Sequence, residues 1–449
     1  MSKPFIDRRT FTTQTSIALG ASGLASLLLG CKPENEHKSG AENASPEPRV
    51  STVPLRINLV APISQPETVI RQWSAISDQP IEIRSMTPDE LMRAEKCAAD
   101  LLLYPARLIG ELISRQWIVK LPTTLAELTK ADNSKREDEI LFATIPPALV
   151  ASGMYSSISY GLPVGYSMIS VLGSAANQAE KLTWTQLESA LAKQEIRPLE
   201  FEDSQVDREA LVDRFLALAI GKSDVNGKYG VLFDIRSMKS RLMAPEFRFA
   251  AQILLRLACQ AGALLSVIGS HSEAWKWVNN AAESAFALAS ASQIDVDAAA
   301  LDVAKLIGIE DAKPWNSGSG ILASIATDCR QTAQTTKFAY WLAQTKALDT
   351  IRGLCPGLIS VASRGRSLAE RVIASNSLAL QQDTAVSELR VVGTQQLRVE
   401  LASQLTELLR GKSTVEDALS TAANLWNSII KQNSTNPKAD YERSLGLRD

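Results

Sequence analysis

Imidazole is scarce in this chain, and that limits its chemistry. Only His37 and His271 carry one. His37 lies in a polar stretch near the N-terminus, so the folded part holds His271 alone. This excludes a His-rich metal site and restricts any Ser-His-Asp arrangement to one built on His271. No nucleophile elbow, phosphate-cradling P-loop or dinucleotide fingerprint occurs. The acidic pair Glu202-Asp203 falls in a polar run and reads as solvated surface. A glycosidase would need only two carboxylates, so an enzyme stands as the competing class. The reading taken is a non-enzyme with no catalytic residue, no metal site and no cofactor.

Thiols give a more specific signal. Cys31 follows a start with Arg8-Arg9-Thr10-Phe11, no further charge until Lys32, and an apolar run from Ile17 to Leu29. A charged start, a short apolar stretch and small residues before a cleavage point make a secretory signal peptide. The run is shorter than the roughly 20 apolar residues of a membrane span. Leu28-Leu29-Gly30-Cys31 resembles the lipobox of bacterial lipoproteins, and the arginine pair resembles a Tat export signal. The resemblance implies cleavage before Cys31, lipidation of that residue, and a protein anchored on the extracytoplasmic (periplasmic) face of a membrane. Residues 32–54 are rich in Pro, Glu, Ser, Asn and Lys, which cannot bury enough surface to offset ordering entropy. They read as a flexible linker. Cys97, Cys259, Cys329 and Cys355 remain, at spacings that match no metal motif. Export permits pairing; Cys329 and Cys355, on either side of one expected helix, are the candidate pair, against four buried free thiols.

From about Leu55 to Gln432 the chain is long enough for one large or two ordinary domains. It is 45% apolar and 6% aromatic with a net charge of −2, so it carries no basic footprint for nucleic acid. Strands and helices alternate. Strands are expected at 56–61, 80–84 and 100–104, with helices at 67–77, from Thr87-Pro88-Asp89-Glu90 onward as a capping box, and at 109–114. Apolar strands between helices argue for a parallel sheet covered on both faces. Further helices are expected at 184–193, 210–220, 248–263 and 332–342, a strand at 321–326, and either state for 284–291. Leu397, Leu401, Leu405, Leu408 and Leu409 repeat at helical spacing. Gly411 stops that helix, and Ser413-Thr414-Val415-Glu416 caps a second one carrying Leu419, Trp426 and Ile430 on one face.

Four stretches together carry a family resemblance. They are Ala99-Asp100-Leu101-Leu102 with Gly110-Glu111-Leu112; Tyr160-Gly161-Leu162-Pro163-Val164; Gly318-Ser319-Gly320-Ile321-Leu322 with Phe338 and Trp341-Leu342; and Gly411 to Leu419 with Ala422-Ala423 and Trp426. In order and spacing they resemble extracellular solute-binding proteins of ABC importers, closest to the sugar- and maltodextrin-binding group. The resemblance implies an α/β, two-lobed periplasmic-binding-protein-like fold (type II). Each lobe would be a mainly parallel sheet flanked by helices, with ligand in the cleft between them. The implied division is a signal peptide over 1–31, a linker over 32–54, lobe one over 55–164 plus 315–362, lobe two over 165–314 plus 363–431, and a polar tail over 432–449. A hinge motion about Val164 and Trp315 would close the cleft.

The resemblance also places candidate ligand contacts, which would stack pyranose rings and bind hydroxyls. These are Ser64 and Gln65 after the first strand, Tyr104 and Arg107 after the third, Tyr166 past the crossing strand, and Trp315 and Asn316 before the double-glycine turn. Tyr104, Arg107 and Trp315 should converge on one concave surface. Two departures weaken the sugar assignment: Ala289-Ser290-Ala291-Ser292 lacks the aromatic residue the family often has there, and none occurs between Trp341 and Trp426. The implied partners are a small solute of the carbohydrate class, an ABC permease, and a membrane reached through the lipid. A sensor or scaffold lipoprotein on the same fold is the alternative.

Overall fold

The computed structural model describes residues 53–60, 66–121, 145–226, 229–290, 304–344 and 368–447. The signal segment with Cys31, nearly all of the linker, Ser64, Gln65 and Cys355 lie outside the described residues. Among those described, no helix is long and apolar enough to cross a membrane.

Two sheets organise the molecule. The first opens with β1 (Leu55–Leu59), α1 (Pro66–Ser74), β2 (Ile81–Ser85), α2 (Pro88–Arg93), β3 (Leu101–Pro105) and α3 (Ile109–Ser114). The chain then crosses through β4 (Leu162–Pro163) into β5 (Ile169–Gly173). Helices α4 (Trp184–Leu191), α5 (Arg208–Lys222), α6 (Pro245–Ala258) and α7 (His271–Asn280) lead to β6 (Phe286–Ser290) and β7 (Lys305–Leu306). It returns through β8 (Trp315–Asn316) to β9 (Ile321–Ile325) and α8 (Thr332–Gln344). The rest is α9 (Leu368–Leu380), β10 (Val386–Ser387), α10 (Thr394–Leu409), α11 (Val415–Asn433) and α12 (Pro437–Ser444).

In the first sheet the order is β2-β1-β3-β9-β4. β1 runs parallel to β2 and β3, while β9 lies antiparallel to both β3 and β4. Alternation along β3 sends Leu101 and Leu103 to one face, with Trp73 and Phe338, and Leu102 and Tyr104 to the other, with Ile109 and Leu112. At its start, fully buried Asp100 accepts from the guanidiniums of both Arg56 and Arg330. Burial alone would raise its carboxyl, but these hydrogen bonds hold it well below the usual carboxylate range.

The second sheet, β7-β5-β6, is antiparallel at both pairings, not parallel as expected. Its strands β5 and β6 are buried on both faces, and a doubly buried strand reads as an apolar run whatever its direction. Within 284–291, Phe286–Ser290 forms strand β6.

The capping box at α2 forms as read: Thr87 Oγ1 accepts from Glu90 N–H at 3.1 Å, and Glu90 Oε2 from Thr87 N–H at 2.6 Å. At α11 the cap falls one residue later than expected. Thr414 Oγ1 accepts from Asp417 N–H at 3.1 Å, so Thr414, not Ser413, ends the turn. Gly411, at φ 70°, makes the left-handed link between α10 and α11. Within the expected polar tail, the described residues include a helix, α12. Asn436 caps α12, Pro437 occupies its first turn, and Tyr441 is buried beside Phe233 with ring centroids 6.3 Å apart. Cys97, Cys259 and Cys329 are free thiols; the expected Cys329–Cys355 pair involves Cys355, which lies outside the described residues.

Candidate functional site

The segment just past β3 meets α5 and α10 of the second sheet's core, and charged side chains fill the junction. Arg107, 2% exposed, sits just past β3. It donates through Nε to Gln395 Oε1 at 2.9 Å and through Nη1 to Ser319 Oγ at 3.3 Å. Its Nη2 lies 3.1 Å from Glu209 Oε1. Glu209 and Asp213 stand four residues apart on α5, one turn above the other on the same face. Helix α5 is anchored in the second core by Leu211, Phe215 and Leu216.

Arg398, on α10, is the centre of the cluster. Its Nη1 donates to both Glu388 oxygens at 2.7 and 2.8 Å, Nη2 to Asp213 Oδ1 at 2.6 Å, and Nε to Glu209 Oε2 at 2.7 Å. The planar fork of a guanidinium suits such multiple carboxylate pairing. From the first sheet, Ser317 Oγ donates to Asp213 Oδ1 at 2.8 Å, Ser319 Oγ to the same atom at 3.3 Å, and Gly318 N–H to Glu388 Oε2 at 2.8 Å. The turn needs glycine here: a Cβ on Gly318 would stand 2.8 Å from Arg107 Cβ and 3.0 Å from the Glu388 carboxyl.

Three carboxylates thus meet two guanidiniums. Burial raises Glu388 above the usual range, aided by Asp213 and opposed by Arg398. Burial alone would raise Asp213, but Arg398 and His271 together hold it below the usual carboxylate range. Burial disfavours the charge on Arg398, yet the surrounding carboxylates raise it overall. Behind Asp213, His271 is 1% exposed and lowered by burial. Its Nε2 is 4.0 Å from Asp213 Oδ2, too far for a hydrogen bond.

Of the expected contacts, Arg107 sits against the turn that follows Asn316, its N–H donating to Gly318 O at 3.0 Å, rather than against Trp315 or Asn316. Tyr104 does not join them. It is fully buried, with its hydroxyl 2.8 Å from Ser324 Oγ, because alternation along β3 turns it toward α2 and α3. Tyr166 is buried in the first sheet's core, its hydroxyl donating to Ile373 O at 3.3 Å. Trp315 packs in the second core, paired through β8 with β10, and lines a half-open pocket of about 190 Å³ with Trp184, Ser170 and Asn376. Asn316 is buried and donates to Ala148 O at 3.3 Å. A separate open groove of about 480 Å³ lies beside the cluster, lined by Asp89, Arg93, Arg107, Arg115, Gln395 and Asn433.

Sequence reasoning missed Glu209, Asp213, Glu388 and Arg398. The signal for Asp213 was present: it interrupts the apolar run Ala210 to Ile220, and a charge that deep in a buried helix needs partners.

Solved structures share this architecture. The sugar-binding protein MalE from Xanthomonas citri superposes with a TM-score of 0.59 at 12% identity, covering 85% of this chain and 98% of its own. A ribitol-bound ABC transporter solute-binding protein from Agrobacterium radiobacter K84 gives 0.61 at 13%, covering 84% and 99%. A D-mannitol-bound one from Agrobacterium vitis S4 gives 0.58 at 12%, covering 84% and 98%. This chain has the fold of ABC-transporter solute-binding proteins. No protein-family model and no curated protein sequence matches it.

Proposed function

We propose that the chain is an extracytoplasmic solute-binding lipoprotein, exported by a Tat-type signal and tethered through Cys31. It would deliver a small polar solute of the carbohydrate or polyol class to an ABC permease by closure of two lobes. The observation that carries this reading is the shared fold, spanning 84–85% of the chain, with proteins whose structures hold ribitol or mannitol or bear the name sugar-binding. The lobes are taken as 55–164 plus 315–362 and 165–314 plus 363–431. A panel of sugars, polyols, amino acids and anions tests the solute class by thermal shift. A solute present at a hundredfold excess over its Kd should stabilise the fold by about 2.7 kcal/mol. A response to amino acids or anions alone would overturn the carbohydrate class.

The anchor has its own test. Metabolically labelled fatty acid should enter the wild-type protein and be lost from Cys31→Ala, which should then appear in the soluble fraction or as uncleaved precursor. Lipid labelling that survives the substitution would remove Cys31 as the anchor.

A second reading, a sensor or scaffold lipoprotein on the same fold, is favoured by one observation. Ion pairs fill the junction at the strand ends, where open α/β sheets bind ligands, and Tyr104 presents no aromatic face there.

A further inference from the structure

We propose that Arg107 and the Ser317–Ser319 turn, seated on carboxylates that Arg398 holds in place, form a built-in latch: the chain's own side chains hold the two lobes together, so that the closed form is its resting state. The proposal rests on the two-lobed reading above. Its bonds run between groups carried by different sheets. Arg107 and the Ser317–Ser319 turn belong to the ends of β3 and β9. Glu209 and Asp213 belong to α5, and Gln395 and Arg398 to α10, both seated in the second core. Across that boundary run Arg107 to Glu209 at 3.1 Å, Arg107 to Gln395 at 2.9 Å and Ser317 to Asp213 at 2.8 Å. Glu388, between β10 and α10, accepts Gly318 N–H from one side and Arg398 from the other.

Burial gives these bonds weight. Arg107, Asp213 and Glu388 are each at most 3% exposed, so separation of the lobes would expose Arg107 to water and strip Ser317 from Asp213 and Gly318 from Glu388, while the Arg398 fork, whose carboxylates share its lobe, would stay paired. Glu209 is the accessible member, its side chain 36% exposed, and it alone binds both guanidiniums. A solute entering the junction must therefore displace internal partners. If the latched state holds 99% of molecules, a solute that requires the open state binds about a hundredfold more weakly than to an unlatched protein.

Amide hydrogen exchange on the full-length lipoprotein in detergent tests the latch with no solute added. Gly318 N–H, held by Glu388, and Ser319 N–H, held by Ser317 Oγ at 3.1 Å, are the reporters. Both should be protected in the wild type. In Glu209→Gln they should exchange at least tenfold faster, while the amides of β1 and β6 keep their protection. Should Glu209→Gln lose protection throughout, Ser317→Ala is read in its place by comparison of Gly318 with the same two strands. Unprotected Gly318 and Ser319 in the wild type, or no acceleration in a variant that stays folded, would overturn the latch. A chain that binds no solute in the thermal-shift panel yet shows the protection pattern would sink the receptor reading and leave the latch standing.

Discussion

Arg398→Ala should cost about 3–5 kcal/mol of unfolding free energy, the range for breaking a buried ion pair by removal of one partner. The loss comes less from the vanished attraction than from what stays behind. Glu388 and Asp213, both buried, would keep their charges without the fork that satisfies them. Arg398→Lys should recover only part, since one ammonium cannot match a planar fork that reaches three carboxylates. Urea unfolding of the two variants and the wild type measures this, and a loss under 1 kcal/mol for the alanine variant would remove the cluster from the fold's main supports. The pH dependence has a definite sign. With Arg398 gone, burial dominates and raises the carboxyls of Asp213 and Glu388 above their unfolded values. Groups with raised pKa values favour the folded state at low pH and lose that contribution as pH rises. The deficit of Arg398→Ala should therefore shrink as pH falls from neutral toward the ordinary carboxylate range.

Trp426→Ala is the second large effect, expected at about 3–5 kcal/mol for an aromatic truncation in a core. Trp426 is 1% exposed, stacks on Phe233 with centroids 5.6 Å apart at 15°, and donates through Nε1 to Leu397 O at 2.8 Å. It therefore ties α11 both to α10 and to the segment between α5 and α6. Trp426→Phe retains most of the ring burial but strands the Leu397 carbonyl, which should cost about 1–3 kcal/mol. If the two variants unfold at the same urea concentration, the hydrogen bond rather than the ring carries the contact.

The contrast between these two residues explains how far the sequence could be read. Trp426 lies on a stripe with Leu419 and Ile430, and helical periodicity is a local signal that survives without any tertiary knowledge. The same holds for the Thr87 capping box and for β3. Arg398 follows Leu397 in an equally regular helix, yet its partners stand on α5 and after β10, nearly 190 residues away for Glu209. No spacing rule links them. Tyr104 failed for a related reason: its place at a strand end was legible, but the face it takes follows from the alternation of β3 between two buried layers. The α12 helix was legible and overlooked, since Asn436-Pro437 is a helix start of the ordinary kind.

The pairing of β3 with β9 has a consequence for how the chain is made. Tyr104 waits for Ser324, 220 residues downstream, before its hydroxyl has a partner. At a synthesis rate of 5–20 residues per second, that interval lasts on the order of 10–40 s. Through it, β3 presents an open, wholly apolar edge to whatever the ribosome's surroundings contain. For nearly half of the chain's synthesis that edge stays unpaired, and a fragment ending between those two strands would carry it exposed as a site for aggregation.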